Sequence, residues 1–405
     1  MQKVYRVAIV GGGSAGLMSA VELLFGKDCL SGKDVVILER NDRVGKKLIT
    51  TGNGQGNLTN QNLSQENYYG NADFISDFIA NAKATDLENY LYKLGIPLCA
   101  LKDGKMYPLS RQANSVLDII RLRLEEKGVQ TVTEAQVEAI YNRNGVFTLS
   151  TKKGDFHAEN VIMATGGKSA KQFGTDGTAY SLVEKFGHTV TELYPSLVQL
   201  KCDLTLIRGL KGLKENAKVT AINNGIEVKE AVGEVLFTEY GVSGNAVFQV
   251  SGHLTNAVNP VLKIEFLPDI SKEEVEKILL DREEFGLVGE NRLLGMLNKR
   301  IGQTVLKTAK SQSAKDVCKA LKEFKLKVTG NLGFNYSQVT KGGIKTKEIN
   351  SKTYESKLVK GLFLTGEMLD IDGDCGGYNL TFAFISGIIS AKTVKQRYKE
   401  IKCLD

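Results

Sequence analysis

The chain has 405 residues, 42% of them hydrophobic, with 53 Lys and Arg against 46 Asp and Glu and a formal net charge of +7. That length and apolar content suffice for two or three domains with sizeable cores. The basic residues are scattered, which suits anionic cofactors or substrates and excludes the basic block of a nucleic-acid footprint. The six cysteines, Cys29, Cys99, Cys202, Cys318, Cys375 and Cys403, show no C-x-x-C spacing, so reduced thiols of a cytoplasmic protein are expected. His157, His188 and His253 are far apart in sequence, which argues against a histidine metal site; no metal is expected. No apolar run reaches membrane-spanning length, and the start of the chain runs straight into a glycine motif with no leader before it, so neither a membrane nor a signal peptide is expected.

In chain order, the apolar run Val7 to Val10 feeds Gly11, Gly12, Gly13, Ser14, Ala15 and Gly16 and then a helix-like segment. Strand, glycine turn and helix form the dinucleotide fingerprint. Gly11 allows the tight turn, Gly13 the approach of a pyrophosphate, and Gly16 close packing of helix on strand. The helix N-terminus supplies N–H groups to the anion. A second strand, Val35 to Leu38, ends in Glu39, where a ribose hydroxyl needs an acceptor. Lys46 and Lys47 follow, two cations placed to meet a pyrophosphate or a reduced flavin. The stretch from Gly45 to Asn60 is too rich in Gly and Asn for regular structure and reads as a functional loop.

Helical periodicity then covers Asp73 to Leu94 and Asn114 to Glu126. Strands are expected at Val132 to Ile140, Val146 to Ser150 and Phe156 to Met163, the last entering Ala164, Thr165, Gly166 and Gly167. From about Leu193 short alternating strands begin, with a hairpin turn at Asn223, Asn224 and Gly225. Ser271 to Glu274 reads as a capping box that opens a helical stretch to about Lys325. Strand-like residues return at Phe334 to Val339, an apolar strand follows at Leu362 to Thr365, and the last helix covers Leu380 to Tyr398.

The segment from Gly366 to Leu380 repeats the pattern of strand, Gly-acid turn, glycine pair and helix start. In a fold holding extended FAD, such a turn lies beside the ribityl chain and the helix dipole favours negative charge on the reduced flavin. There is no second fingerprint for a nicotinamide nucleotide. FAD held by both chain ends is therefore the expected cofactor, with NAD(P)H at most a transient reductant.

These residues also carry a resemblance. Gly52 to Asn60, Ala164 to Lys168, Leu236 to Gly244 and Gly373 to Asn379 together resemble the BaiN-like flavoproteins, also called the aminoacetone oxidase family, over essentially the whole chain. The resemblance implies an α/β fold: a two-part glutathione-reductase-type, Rossmann-like FAD domain with an inserted β-rich domain and a small helical domain. The implied boundaries are 1–192 and 341–405 for the FAD domain, 193–270 and 326–340 for the β-rich domain, and 271–325 for the helical one. It implies further that Gly11 to Gly16, Glu39, Arg40, Lys47, Thr51, Gly52, Asn57 and Leu58 line FAD, with Val137 at the adenine. Ala164, Thr165 and Gly166 would face the pyrophosphate. Gly366, Glu367, Asp372, Gly376, Gly377, Tyr378, Asn379 and Leu380 would close around the ribityl and isoalloxazine. Gln55 and Gly56 stand where the family has Arg-Cys, Glu239 where it has His, and Asn245 where it has Pro.

The family's activities include reduction of conjugated enones in steroid-like acids and oxidation of aminoketones. The expected function is thus an FAD-dependent oxidoreductase whose small-molecule substrate enters between the FAD domain and the inserted β-rich domain, most simply an NAD(P)H-driven enone reductase. An amine or aminoketone oxidase and a non-catalytic redox sensor are the alternatives, and the oligomeric state is open. Tyr378, as proton donor, and Glu239, as base or amine-orienting group, are the candidate catalytic residues. Cys375 beside the glycine pair serves packing, and His188 and His253, each near a glycine, are structural.

Overall fold

The computed structural model describes residues 3–402, so Cys403 lies outside the described residues; none of the other five cysteines forms a disulfide. Two compact units are present, one made of residues 1–193 and 339–405, the other of residues 194–338.

The first unit is built on a seven-stranded sheet. Val4–Val10 lies between Val35–Leu38 and Gly154–Met163, parallel to both, with Val7 opposite Val35 and Val10 opposite Met163. Gln130–Val132 extends the edge beyond Val35–Leu38. Val35–Leu38 is wholly buried, as the unbroken apolar run of a strand covered on both faces requires. On its other edge Gly154–Met163 serves two partners. Gly154 to Ala158 pair antiparallel with Phe147 to Thr151, whereas Val161 to Met163 pair parallel with Leu362–Leu364. That parallel pairing brings the late part of the chain to the same sheet end as the glycine turn.

Two helices leave this end, Ser14–Leu24 and Tyr378–Lys402. They cross in close contact because Gly387 has no side chain: a Cβ there would lie 2.3 Å from the Ala15 carbonyl oxygen. Ser19 Oγ donates to the Gly387 carbonyl at 3.1 Å. Gly387→Val is therefore expected to separate the helices and cost about 1–3 kcal/mol, the range for overpacking. A urea midpoint equal to that of the wild type would show that the crossing tolerates a side chain.

The second unit is a closed barrel of six strands, in the order Leu200–Cys202, Gly241–Ser243, Ile226–Phe237, Lys214–Asn223, Val261–Phe266 and Phe324–Asn331. Its longest hairpin turns at Asn224 and Gly225, both with positive φ, as a two-residue turn of this hand demands. Lys272–Glu284, Lys299–Leu306 and Ala314–Lys322 are helices whose Val275, Ile301, Val305, Val317 and Leu321 share one apolar core with Phe266 and Phe324 of the barrel. Lys322 is 2% exposed, and its Nζ donates to Glu265 Oε1 and to the carbonyls of Leu267 and Ile270. Its charge is thereby satisfied at the seam of helix and barrel.

The structure departs from the sequence pattern in three of its elements. Asp73 to Leu94 is not one helix: Asp86, with φ 48°, ends Ala72–Thr85 and caps Leu87–Lys93 through a bond from Asn89 N to its side chain. The late barrel strand is Phe324–Asn331, not Phe334 to Val339, because Phe324, Leu326 and Val328 alternate inward. Ser271 Oγ does accept from Glu274 N, but the helical stretch it opens breaks into three pieces and ends at Lys322.

Candidate functional site

The glycine turn is held by the strands on either side of it. Gly11 N donates to Leu38 O at 2.8 Å, Gly45 N to Gly12 O at 2.8 Å, and Ala164 N to Val10 O at 2.8 Å. Each glycine then has its own reason. At Gly11, φ +103°, a Cβ would fall 2.4 Å from Ala164 O, and at Gly16 a Cβ would fall 2.0 Å from Gly11 O. Gly13 differs, since its Cβ would meet only Ala164 O, at 4.0 Å. Space is open above it.

Gly13 is also the N-cap of the Ser14–Leu24 helix, with no side-chain cap and no acidic residue in the first turn. The N–H groups of that turn lack intrahelical acceptors and carry the positive end of the helix dipole. The buried Thr165 Oγ1, in the neighbouring turn, has no hydrogen-bond partner. An open cradle, uncapped N–H groups and an orphaned hydroxyl fit the pyrophosphate of a dinucleotide.

Glu39 does more than the sequence suggests. It is 6% exposed; Oε2 accepts from Gly12 N at 2.7 Å, and Oε1 accepts from Asn41 N and Asn41 Nδ2, both at 2.8 Å. The carboxylate thus holds the glycine loop in place. With about four lone-pair sites, it still has capacity for a ribose hydroxyl. Ala135 N donates to Glu39 O at 2.8 Å, which puts Val137 two residues from this carboxylate's backbone.

The two chain ends meet here. A Cβ on Gly366 would lie 3.3 Å from Ala15 Cβ. Lys47 Nζ pairs with Glu367 Oε2 at 2.6 Å, and Glu367 Oε1 accepts from Thr340 N at 3.0 Å. Thr340 Oγ1 in turn accepts from Lys168 N and Ser169 N, fixing the turn after Ala164 to Gly167. Asn57 donates to Thr59 O and accepts from Gly377 N, each at 3.2 Å. Thr59 and Thr381 hydroxyls are 2.7 Å apart, and Asn60 Nδ2 donates to Gly376 O at 3.0 Å. Gly377, φ +98°, has no room for a Cβ, which would lie 2.5 Å from Thr59 O. Leu58 is fully buried beneath this seam, and its N–H donates to Met106 O.

Asn379 clamps the preceding turn: its Oδ1 accepts from Gly373 N and its Nδ2 donates to Gly373 O, both at 2.8 Å. Asp372 is buried in the strand before it, and Leu380 packs partly buried against the core. Tyr378 packs edge-on to Tyr68 at 5.9 Å, and its hydroxyl reaches Asn62 O at a long 3.4 Å. Burial pushes its phenol above the usual range.

Other expected site residues carry bonds of their own. Lys46 pairs with Asp42 at 2.6 Å. Arg40 Nη1 bonds Asp176 Oδ1 at 2.7 Å. Burial pushes the Asp176 carboxyl up, but hydrogen bonds from Arg40 and Thr178 outweigh it and hold the group at about 2. Thr51 Oγ1 donates to Leu48 O, and Gly52, φ +57°, permits the bend that follows. Gly56 has φ +77°, a conformation a Cys would resist. Glu239 belongs to the other unit, is 66% exposed and pairs with Lys211, whose hydrogen bond lowers its pKa. His188 is buried between Glu348 and Ser356.

The comparisons fit this geometry. Residues 5–393 match the family described as HI0933-like protein Rossmann domain. The chain belongs to that family. It is 32% identical to the 3-dehydro-bile acid delta(4,6)-reductase of Clostridium scindens, over 97% of this chain and 99% of the relative, which bears out the BaiN-like resemblance. A ribosomal RNA dihydrouridine synthase of Haemophilus influenzae is 26% identical, over 96% of this chain and 98% of the relative.

Among solved structures, the 3-ketosteroid-delta4-(5alpha)-dehydrogenase of Rhodococcus jostii aligns with a TM-score of 0.52 at 16% identity, over 98% of each chain. The 3-ketosteroid delta1-dehydrogenase of Sterolibacterium denitrificans gives 0.53 at 11%, over 97% and 100%. The fold of this HI0933-like chain is the Rossmann-like FAD-binding fold of flavin-dependent oxidoreductases, and FAD is the cofactor its turns fit. Asn41, Thr340 and Thr59, which fasten the site, were not legible as site residues. Asn41, two residues after Glu39, and Thr59, inside the Gly45 to Asn60 loop, carry a local signal; Thr340 carries none.

Among the described residues no helix is long and apolar enough to cross a membrane, and no group of three or more His, Cys, Asp or Glu is placed to hold a metal.

Proposed function

We propose that this FAD-dependent oxidoreductase reduces a carbon–carbon double bond conjugated to a carbonyl in a small organic acid of steroid-like shape, with NAD(P)H as reductant. The full-length likeness to a bile-acid delta(4,6)-reductase carries this reading. The rRNA relatives support its chemical core, since making dihydrouridine also saturates a double bond conjugated to a carbonyl. FAD, when bound, supplies the hydride that the β-carbon accepts. A proton must then reach the α-carbon, which is work for the protein.

Tyr378 suits that work. It opens the helix at the glycine pair, its hydroxyl is only weakly held by Asn62 O, and burial keeps the phenol protonated through neutral pH. The Gly11 to Gly16 turn with Glu39 would bind the adenosine and pyrophosphate. The Lys47–Glu367 pair and the Asn379 clamp would fix the turns around the ribityl and flavin. Tyr378→Phe is expected to lower turnover by about 10²-fold with FAD content unchanged. Because its pKa is raised, wild-type turnover should show no loss of this proton donor between about pH 6 and 9. If Tyr378→Phe loses FAD instead of turnover, the residue is a packing element.

A small molecule is favoured over RNA by identity, 32% against 26% and 27%. The experiment is an anaerobic titration. NADPH or NADH should bleach the flavin, and a conjugated enone acid should restore its colour. Restoration by a uridine-containing RNA but not by the enone would transfer the reading to nucleic acid; bleaching by an aminoketone alone would make it an oxidase.

A further inference from the structure

A cavity of about 1120 Å³ lies in the first unit, away from every turn assigned to FAD. Its lining comes from the C-terminal end of the Ser14–Leu24 helix and the following loop, from the end of Leu87–Lys93, and from the last turns of Tyr378–Lys402. At 1.5 Å per residue, Lys392 is about 21 Å along the helix from Tyr378, and Phe25 about 16 Å from Ser14. The cavity is therefore too remote to receive hydride.

Three layers of chemistry meet in it. Its floor is the pair Glu22 and Lys395, 2.5 Å apart and each 9% exposed, with Tyr90 donating to Glu22 Oε2 at 2.8 Å and Lys395 to Phe25 O at 3.2 Å. That floor is already neutral and satisfied. Its walls are Phe25, Leu94 and the Tyr90 ring. Its rim holds Lys27, Lys93 and Lys392, all exposed, and among the described residues none of the three has a carboxylate at ion-pair distance. Lys399 is taken by Asp28 at 3.1 Å; Glu400, which accepts only from the neutral Gln396 amide, leaves one carboxylate against the three lysines, so the lining keeps a net positive charge.

We infer that this cavity binds a small organic anion with an apolar body, a carboxylate or sulfonate on rings or a chain, at a site separate from the cofactor. Apolar walls under unneutralised lysines call for an amphipathic anion: the body is desolvated against Phe25, Leu94 and Tyr90, while the charge stays at the rim, where water keeps its desolvation cost low. A neutral apolar molecule would leave the lysines unused, and a bare inorganic anion would leave the walls exposed.

The test uses the FAD-loaded protein and 8-anilinonaphthalene-1-sulfonate, a sulfonate on an aromatic body. Saturable fluorescence enhancement is expected, displaced by decanoate and not by inorganic phosphate at equal concentration. The triple variant Lys27→Gln, Lys93→Gln, Lys392→Gln should bind the probe at least 10-fold more weakly while keeping its FAD content and thermal midpoint. Phe25→Asp, which sets a like charge on the wall, should give the same loss independently. Probe binding unchanged in both variants, displacement by phosphate as effective as by decanoate, or no saturable binding would each overturn the inference.

Discussion

Gly13→Val is expected to yield a folded protein that retains no FAD. Among the turn glycines, Gly13 is the one whose Cβ would meet little of the protein, only Ala164 O at 4.0 Å, so a valine there need not disturb the fold. It would instead fill the space over the uncapped N–H groups where a pyrophosphate must approach. Gly16→Val provides the contrast. A Cβ there would sit 2.0 Å from Gly11 O, so that variant should lose stability along with cofactor. Flavin absorbance of the purified variants, read with their thermal midpoints, separates the two cases. A yellow Gly13→Val protein with FAD at wild-type occupancy would place the pyrophosphate elsewhere.

Glu39→Ala should weaken FAD binding by roughly 5- to 150-fold, from about 1–3 kcal/mol for donors left without an acceptor. The donors are Gly12 N, Asn41 N and Asn41 Nδ2, all now answered by the one carboxylate. Part of the loss is thus a slackened glycine loop and part a missing ribose acceptor. Glu39→Gln, which keeps one acceptor oxygen, should fall between the two. Isothermal titration of the apoprotein with FAD measures the series; equal affinities for Glu39→Ala and wild type would remove Glu39 from the site.

The glycine turn, Glu39, the two strands leading into them and the late Gly366 to Leu380 segment were legible in the sequence because each is a local pattern. A Cβ-free turn, an apolar strand and a helix start lie within a few residues of one another. What fastens these pieces together was not legible. Thr340 bonds Lys168 and Ser169 across some 170 residues, and Lys47 finds Glu367 across 320, so no spacing rule announces either pair. The same lysine, read alone, suggests a free cation for phosphate; its partner changes that reading. Phe324–Asn331 was hidden for a different reason. Its alternating Phe, Lys, Leu, Lys, Val follows a helix without a break, and only closure of the barrel against Val261–Phe266 and Leu200–Cys202 selects the strand.

The proposed function is FAD-dependent saturation of a double bond conjugated to a carbonyl. The most direct measurement mixes the NAD(P)H-reduced protein, without oxygen, with one equivalent of a 3-oxo-Δ4 steroid acid and follows flavin colour and product mass together. Colour is expected to return as the acid gains two hydrogens, the one at the α-carbon drawn from solvent and therefore deuterium in D₂O. Colour that returns only on admitting oxygen, with the acid recovered unchanged, would contradict it.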